Sequence, residues 1–123
     1  MRVRLAPLPT SPAAARSWVD AALSQSGFGG DRSPILLMVT EIATNCVVHA
    51  RTDFEIDLAV NPAGVTCAVR DFDCTQYPTV SPEPAAGHGL GLLLVEQLSD
   101  RWGCRQDPSG KTVWFTVHNH PHP

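Results

Sequence analysis

Apolar and polar residues alternate most regularly in the middle of the chain, where they predict two neighbouring strands. Residues 53–60 (DFEIDLAV) have the alternation typical of a strand with one buried face. Residues 61–64 (NPAG) predict a turn, and residues 65–71 predict the returning strand of an antiparallel hairpin. Asp71 is an even number of positions from Val65, Cys67 and Val69, so it has the same parity as these apolar residues. Its side chain should therefore point to the same core-facing side of the sheet. A carboxylate at the inner end of a strand is unusual and indicates a site.

Helical periodicity precedes this hairpin in two segments. The first predicted helix runs from about Pro12 to Gln25, with Ser11 as its N-cap. The second runs to about Ala50, with Asp31 or Ser33 as its N-cap. Because the second helix has apolar residues on most of its sides, we expect it to be buried.

The second predicted helix, otherwise mostly apolar here, contains three polar residues spaced four positions apart, namely Glu41, Asn45 and His49. On an α-helix this spacing puts a carboxylate, an amide and an imidazole on one face, which we call the polar ridge. Buried polar groups need partners, so a ridge between apolar flanks favours a ligand site. The alternative is an ordinary helix face with three partly exposed polar residues.

The other segments complete the predicted fold. Residues 2–6 predict a short edge strand, and residues 87–91 (GHGLG) open a third helix. Between Phe72 and Gly87 the periodicity is lost, and the prolines and small residues predict a long loop of the kind that often forms a lid or binding loop. Residues 102–105 and 111–118 predict the last two strands.

This order of elements indicates one α+β domain spanning residues 1–123. Its core extends from about residue 5 to about residue 117, and a frayed tail occupies residues 118–123. Because consecutive strands are antiparallel and the helices are segregated, we expect a two-layer sandwich, with a mixed or antiparallel sheet and helices on one face.

The composition narrows the class of protein. The chain has 123 residues, of which 43% are hydrophobic and 17% are charged, as expected for one ordered globular domain. Its net charge is -3, so the chain lacks the excess of basic residues that is typical of proteins that bind nucleic acid. No apolar stretch approaches the ~20 residues that span a bilayer, and no apolar signal core follows the N-terminal arginines. We therefore expect a cytoplasmic protein with neither nucleic acid nor a membrane as a direct partner.

The four cysteines, Cys46, Cys67, Cys74 and Cys104, are not arranged as CxxC pairs. Cys46 and Cys67 fall at core-like positions of a helix and a strand. Free buried thiols are therefore favoured over a zinc site or disulfides.

The polar ridge and Asp71 have side chains suited to a nucleotide. Asn45 can offer an amide oxygen to Mg²⁺, a cation that prefers oxygen ligands. Glu41, one turn away, could accept a proton from a hydroxyl or water that attacks a phosphate. His49 could position groups or only cap the last carbonyls of the helix. Asp71 could accept a hydrogen bond from an exocyclic amine such as that of adenine, or could only begin a turn.

The glycines of residues 87–91 lie at the start of the third predicted helix. Glycines there let backbone N–H groups approach an anion, which the helix dipole also favours. They could equally serve only tight packing. The segment is neither a Walker A loop nor a dinucleotide-binding fingerprint, because no Gly-Lys-Ser/Thr follows it and no strand leads directly into it.

Four motifs in this order resemble those of the histidine-kinase-like ATPase (GHKL) superfamily, and specifically its small anti-sigma-factor serine/threonine kinase branch. The resemblance extends from about Leu5 to Val117. Residues 38–50 (MVTEIATNCVVHA) resemble the N-box, and residues 69–73 (VRDFD) resemble the G1 box. Residues 87–92 (GHGLGL) resemble the G2 box, and residues 110–115 (GKTVWF) resemble the closing strand.

The resemblance implies a set of site residues. ATP would lie between the sheet and the helices, with Mg²⁺ held by Asn45, adenine in contact with Asp71, and Glu41 as the catalytic base. The further nucleotide contacts that it implies are His49, Gly87, His88, Gly89, Leu90, Gly91 and Thr112.

The resemblance also implies an activity and partners. In this branch the γ-phosphoryl group of ATP is transferred to a serine or threonine of an anti-anti-sigma-like protein, and a sigma factor is bound and held off RNA polymerase. A homodimer is a further candidate assembly. The alternative is a module whose nucleotide binding is weak or only structural, and which regulates transcription by partner contact.

Three features depart from the family pattern. Asp73 stands where the superfamily has glycine in the G1 box, so we expect strain if that backbone needs a positive φ. Lys111 separates Gly110 from Thr112, where the family often has threonine directly after the glycine. The loop between the G1 and G2 boxes lacks basic residues, so Arg101 and Lys111 are the nearest candidates to reach a phosphate.

Overall fold

The computed structural model describes residues 1–73 and 89–119. These residues form five strands, three α-helices and one π-helical segment. In chain order the elements are β1 (Arg2–Leu5), α1 (Ser11–Gln25), α2 (Ser33–Asn45), the π-helical segment Cys46–Ala50, β2 (Phe54–Asn61), β3 (Gly64–Asp71), α3 (Gly89–Leu98), β4 (Arg101–Asp107) and β5 (Gly110–His118).

The five strands form one sheet in the order β1-β2-β3-β5-β4, in which every ladder is antiparallel. The predicted hairpin is β2–β3, where Phe54 pairs with Asp71 and Asn61 pairs with Gly64. In the turn, the side-chain oxygen of Asn61 accepts hydrogen bonds from the backbone N–H groups of Ala63 (2.9 Å) and Gly64 (3.1 Å). This side chain stabilises the turn and so helps to fix the register of the hairpin.

One face of the sheet packs against the helices and forms the core. Alternate residues of β2 and β3 are buried on that face, and most of their neighbours are exposed or half-buried on the other. Helix α2 contacts both α1 and α3. The largest fully buried side chains come from both layers and include Leu23, Ile35, Met38, Phe54, Ile56, Leu58 and Phe115. The predicted α+β fold with helices on one face is confirmed.

The helix starts differ in detail from the prediction. Ser11 is the first residue of α1 instead of its N-cap, because its hydroxyl donates a hydrogen bond to the carbonyl of Ala6 (2.6 Å). Thr10 occupies the N-cap position without a side-chain capping bond. At α2, the Asp31 carboxylate accepts a hydrogen bond from the backbone N–H of Ser33 (3.0 Å). Arg32 occupies the N-cap position, so neither Asp31 nor Ser33 is the N-cap, and Asp31 instead supplies an acceptor for one N–H of the first turn.

The second helix reaches Ala50, as predicted, but its last turn is not α-helical. From Cys46 to Ala50 it is a π-helix, and the N–H of Arg51 donates to the carbonyl of Cys46 (2.8 Å). Arg51 ends it with a left-handed φ of 58°. Because a π-turn contains more residues than an α-turn, His49 lies slightly short of a full turn from Asn45, whereas in an α-helix it would lie slightly beyond one. The π-helical segment therefore does not by itself remove His49 from the polar ridge.

Together, α2 and the π-helical segment form a helix of 18 residues, Ser33–Ala50, with a mean hydropathy of 1.3. By length and composition alone this helix could cross a membrane, although the sequence pattern predicts no such stretch. In the fold Ile35, Met38 and Val39 are fully buried between the sheet and the other helices. A core helix with this burial is apolar for the same reason, so the helix by itself is weak support for a membrane span.

The C-terminal end is ordered further than predicted. His118 is the last residue of β5, and its backbone N–H donates to Oδ2 of Asp100 (2.6 Å). The N–H of Asn119 donates to the carbonyl of Ala63 (2.8 Å). The predicted frayed tail therefore does not begin at residue 118. Residues 120–123, and the predicted loop from residue 74 onwards, lie outside the described residues.

Candidate functional site

Asp71 ends β3 on the face of the sheet that the helices cover. Its relative exposure is only 3%, so its side chain points inward, as its parity predicts. Oδ1 accepts hydrogen bonds from the backbone N–H groups of Asp73 (3.1 Å) and Lys111 (3.2 Å). Oδ2 lies 3.8 Å from the ammonium nitrogen of Lys111. The backbone thus holds one oxygen, and the other oxygen faces a cation.

Gly110, the first residue of β5, allows this close arrangement of strands. Its φ is 155°, and a Cβ atom at this position would lie 2.1 Å from the carbonyl oxygen of Asp71. Any residue other than glycine would push the start of β5 away from the end of β3. The sequence motif includes Gly110, but a glycine before a strand does not by itself reveal which backbone approaches it.

Lys111 lies beside Asp71 because the two residues are partners in the β3–β5 ladder. The sequence suggested Lys111 as a candidate for a phosphate, whereas the structure places it next to the buried carboxylate. The other candidate, Arg101, pairs with Thr116 at the opposite end of β4 and β5. Thr116 is five residues beyond Lys111 along β5, or roughly 17 Å at the rise of an antiparallel strand. Arg101 is thus distant from Asp71.

Asp73 fits its position without the strain that the family pattern suggested. Among the non-glycine residues in the described ranges, only Arg51 has a positive φ, so the backbone of Asp73 is not left-handed. Its N–H instead donates to Oδ1 of Asp71. The departure from glycine therefore costs no backbone strain here, and it adds a carboxylate two residues after Asp71.

Phe72, between these two aspartates, is held in place on the outer side of the sheet. The guanidinium carbon of Arg4 lies 4.5 Å from the centre of the Phe72 ring, and that of Arg70 lies 5.6 Å from it. The backbone N–H of Phe72 donates to Oγ1 of Thr52 (3.0 Å). Two cation–π contacts and a backbone bond thus fix the chain where it leaves β3.

The polar residues of α2 lie at the border between core and solvent. Glu41 and Asn45 are half-buried, and neither side chain hydrogen-bonds to any residue of 1–73 or 89–119. Their polar ends are therefore accessible to a ligand as far as the described part of the chain is concerned. His49 is exposed and lies within the π-helical segment. The structure keeps Glu41 and Asn45 on one α-helical face, and His49 follows about one turn later in the π-helical segment.

Cys46 connects this helix with Asp71. Burial and, to a smaller extent, the negative charge of Asp71 raise the pKa of the Cys46 thiol to about 12, while the positive charge of Lys111 opposes them. These charges act on Cys46 because the start of the π-helical segment lies near the end of β3. Asn45 is the residue directly before Cys46, so the amide and the buried carboxylate belong to one region of the molecule.

The predicted glycine segment is described only in part. Gly87 and His88 lie outside the described residues, and Gly89 is the first residue of α3. The backbone of Gly89, Leu90 and Gly91 thus forms the first turn of a helix of 10 residues that packs against α2. The helix start predicted from GHGLG is confirmed, and its N-terminus suits an anion.

Thr112 is not brought together with Asp71. It follows Lys111 in β5 and therefore lies on the opposite face of the sheet, where the Arg70 guanidinium donates to its Oγ1 (3.3 Å). Arg70 also forms two hydrogen bonds of 3.0 Å to the carboxylate of Asp107, which in turn accepts from Ser109. The hydrogen bond with Asp107 raises the pKa of Arg70, and that with Arg70 lowers the pKa of Asp107. Lys111 occupies the position after Gly110 that faces Asp71, so Thr112, one residue later, lies on the other face.

The described thiols are free, as the cysteine spacing predicts. Cys46 and Cys67 are buried and Cys104 is half-buried, while Cys74 lies outside the described residues. Burial raises the pKa of Cys67 to about 12. Within residues 1–73 and 89–119 there is no group of three or more His, Cys, Asp or Glu side chains that could hold a metal ion.

These residues fit Mg²⁺ that arrives with a phosphorylated ligand better than a metal held by protein alone. Mg²⁺ keeps several waters and is commonly bound through one or two side chains plus substrate phosphates. The half-buried amide of Asn45 suits one such ligand position. Asp71 has Oδ2 available as an acceptor, and Oδ1 is already occupied by backbone N–H groups. The donor set therefore fits a nucleotide with its magnesium ion.

Comparison with protein families identifies the kind of domain that this chain forms. The family model described as the histidine kinase-like ATPase domain matches residues 5–117, which is most of the chain. No curated protein matched the sequence.

Solved structures agree on the fold. The crystal structure of the RsbU and RsbW domains of Rv1364c from Mycobacterium tuberculosis matches with a TM-score of 0.67 and 17% sequence identity. The match covers 98% of this chain and 33% of the other. The chain thus corresponds to about a third of that protein, and at this identity the likeness concerns the fold alone.

Proposed function

The chain belongs to the family of histidine kinase-like ATPase domains, and on that premise we propose that it is an ATP- and Mg²⁺-binding regulatory protein of the anti-sigma type. In this proposal it transfers the γ-phosphoryl group of ATP to a serine or threonine of a partner regulator. The observation that supports it most is the inward carboxylate of Asp71, 3% exposed, close to the helix that bears Glu41 and Asn45.

Each of these residues has one task in the proposal. Asp71 accepts a hydrogen bond from the exocyclic amine of adenine through Oδ2. Asn45 supplies an amide oxygen to Mg²⁺, which neutralises charge on the phosphates when it is bound. The backbone N–H groups at Gly89, Leu90 and Gly91 lie at the positive end of α3 and favour the phosphates.

Glu41 is the proposed base of the phosphoryl transfer. It accepts the proton of the partner's hydroxyl group while that oxygen bonds to the γ-phosphorus and the bond from phosphorus to ADP breaks. Glu41 is half-buried and lies one helical turn before Asn45, so both can face the same phosphate group. Thr112 is left out of the site because it lies on the opposite face of the sheet. His49, in the π-helical segment that follows Asn45, stays a candidate for a further nucleotide contact.

The proposed partners rest on the resemblance of the sequence motifs to the anti-sigma-factor kinase branch. They are a sigma factor, an anti-anti-sigma-like protein, or both in turn, with action in the cytoplasm. The Mycobacterium tuberculosis protein is described by its RsbU and RsbW domains, and this chain has the fold of part of it. A homodimer remains part of this proposal and is tested by the mass of the protein in solution.

A second candidate function is a module that binds partners without transferring phosphate. The observation that favours it is the internal pairing of Asp71 with Lys111, since an ion pair that the chain supplies for itself can hold the site together without a ligand. In this alternative the nucleotide binds weakly, and regulation depends on contact with the partner.

Calorimetric titration with Mg·ATP separates these functions. Wild type should bind, Asn45→Ala should lose most Mg²⁺-dependent affinity, and Asn45→Asp should retain part of it because an oxygen ligand remains. Absence of binding to wild type would refute the nucleotide function altogether. Incubation with γ-labelled ATP and a candidate partner then tests transfer, which Glu41→Gln should abolish without weakening ATP binding. Binding without Glu41-dependent transfer would select the second candidate.

A further inference from the structure

The ion pair at the ends of β3 and β5 combines an acceptor and a donor in a partly enclosed place. Oδ1 of Asp71 is used by two backbone N–H groups, at 3.1 and 3.2 Å. Oδ2 faces the ammonium nitrogen of Lys111 at 3.8 Å, which is longer than a hydrogen bond. The lysine side chain is 32% exposed, against 4% for the aspartate. Lys111 thus extends from the buried carboxylate towards solvent.

The register of the sheet dictates this pairing. Asp71 and Lys111 are ladder partners, and Gly110 brings β5 to the carbonyl of Asp71. The residue directly after Gly110 therefore has to point to the same face as Asp71. Thr112 points to the other face, so the side chain that stands beside the carboxylate is the lysine and not the threonine.

The ammonium group of Lys111 has hydrogen-bonding capacity left for a ligand. An ammonium has three donors and no acceptor. Among residues 1–73 and 89–119, its only charged neighbour within 4 Å is Asp71, and it forms no hydrogen bond there. A ligand that offers both a donor for Oδ2 and an acceptor for Nζ, side by side, would satisfy both residues at once.

We propose that Lys111 is a second base-recognition residue, which donates a hydrogen bond to a ring nitrogen adjacent to the amine that Asp71 accepts. This inference rests on the proposed function, because it concerns the base of the same nucleotide. Adenine has the required pattern, since its exocyclic amine is a donor and the ring nitrogens on either side of it are acceptors. A base with a keto group in place of the amine would direct an acceptor at the carboxylate and be rejected.

The proposal is tested by removing the ammonium donor from the protein and, separately, each candidate acceptor nitrogen from the nucleotide. Affinities for Mg·ATP, 1-deaza-ATP and 7-deaza-ATP are measured by calorimetry for wild type and Lys111→Met, which keeps an unbranched stem and removes the charge. Arg105→Met is the matched control, because it removes the same charge from β4 at a residue that pairs with Thr112, on the opposite face of the sheet. Lys111 is the chain's only lysine, so no other ammonium side chain can replace it.

The expected result is a loss of about tenfold or more in ATP affinity for Lys111→Met, as for other hydrogen bonds to charged groups. Arg105→Met should stay within about twofold of wild type. One of the two deaza analogues should bind wild type more weakly by a similar factor and bind Lys111→Met no more weakly than ATP does. That analogue identifies the ring nitrogen concerned.

Two results would overturn the proposal while leaving the proposed function intact. One is ATP binding by Lys111→Met that is as tight as, or tighter than, that of wild type. The other is equal binding of ATP and both deaza analogues by wild type, which needs no variant and so decides the matter even if Lys111→Met does not fold. If wild type binds none of the three nucleotides, the proposed function itself fails, and this inference fails with it.

Discussion

Replacing Gly110 by alanine should destabilise the whole fold, although the change adds only one methyl group. Gly110 has a φ of 155°, a conformation that residues with a Cβ rarely adopt. The added Cβ would also lie 2.1 Å from the carbonyl oxygen of Asp71 and 3.0 Å from its carbonyl carbon. Both are backbone atoms of a central strand, so they cannot move aside as a flexible side chain could.

The magnitude follows from these two contributions. A residue held in a sparsely populated φ/ψ region costs about 1–3 kcal/mol. Forcing an extra carbon into a filled space costs a further ~1–3 kcal/mol. The free energy of unfolding should therefore fall by about 2–6 kcal/mol, a large part of the ~5–15 kcal/mol that is typical of native proteins.

Urea unfolding followed by tryptophan fluorescence measures this loss, and Gly29→Ala is the matched control. Nothing lies within 4 Å of the Cβ position at Gly29, and its φ is not left-handed. Gly29→Ala should be neutral or should raise the free energy of unfolding by up to about 1 kcal/mol, because alanine restricts the unfolded chain. If Gly110→Ala were as stable as wild type to within about 0.5 kcal/mol, the close approach of β5 to Asp71 would be refuted.

Three further predictions concern the core, an ion pair and the thiols. Phe115→Ala, at a fully buried side chain, should lower the free energy of unfolding by about 3–5 kcal/mol. Leu93→Ala, at a side chain that is 40% exposed, should lower it by less than about 1 kcal/mol, and equal losses in urea titrations would contradict this core. Asp107 has a lowered pKa in the folded state, so its ion pair stabilises the fold above the pKa of an unfolded aspartate and the contribution is lost as pH falls through the folded pKa. The urea midpoint of wild type should be lower at about pH 3 than at about pH 6, and this difference should be smaller in Asp107→Asn. An equal difference in the two proteins would rule out this linkage. Cys46 and Cys67, each with a pKa of about 12, should resist iodoacetamide at about pH 8 until urea is added, as peptide mass spectrometry would show, and equal labelling with and without urea would disprove their burial.

The inward orientation of Asp71 could be predicted because it depends on local pattern. Side chains alternate strictly along a strand, so the parity of Val65 and Val69 decides on which face Asp71 lies. The spacing of Glu41 and Asn45 was equally informative, because both belong to the α-helical part of the second helix. Where the periodicity continues without interruption, the sequence determines which residues share a face.

The π-turn at Cys46–Ala50 could not be predicted in the same way. The residues CVVHA continue the mostly apolar pattern of the helix, and α- and π-helical hydrogen bonding cannot be distinguished from such a pattern of residue types. Arg51 ends this turn with a left-handed φ before β2 begins. The sequence pattern therefore predicts how far the second helix extends, but not the hydrogen bonding of its last turn.

The contact between Asp71 and Lys111 could not be predicted from the sequence pattern either, because the two residues are 40 positions apart. Motif spacing suggested that the two residues belong to one site, but the register between β3 and β5 decides which side chain stands next to which. The same register places Thr112 on the other face. A difference of one position along a strand reverses the face of the sheet, so motif matches alone do not locate a side chain.

The strand order has a consequence for the order in which the sheet opens. β1 has four residues and lies at an edge of the sheet. Pairing of β1 with β2 closes a long loop, since the hydrogen bond between Met1 and Leu58 joins residues 57 positions apart. The hairpins β2–β3 and β4–β5 close between neighbours in sequence, and β3 and β5 lie inside the sheet. Amide hydrogens of β1 should therefore exchange with solvent through local fraying, whereas those of β3 and β5 should exchange only with global unfolding. Asp71 and Lys111 belong to these two inner strands, so their pairing should persist when β1 frays, while the contact of Arg4 with Phe72 is lost.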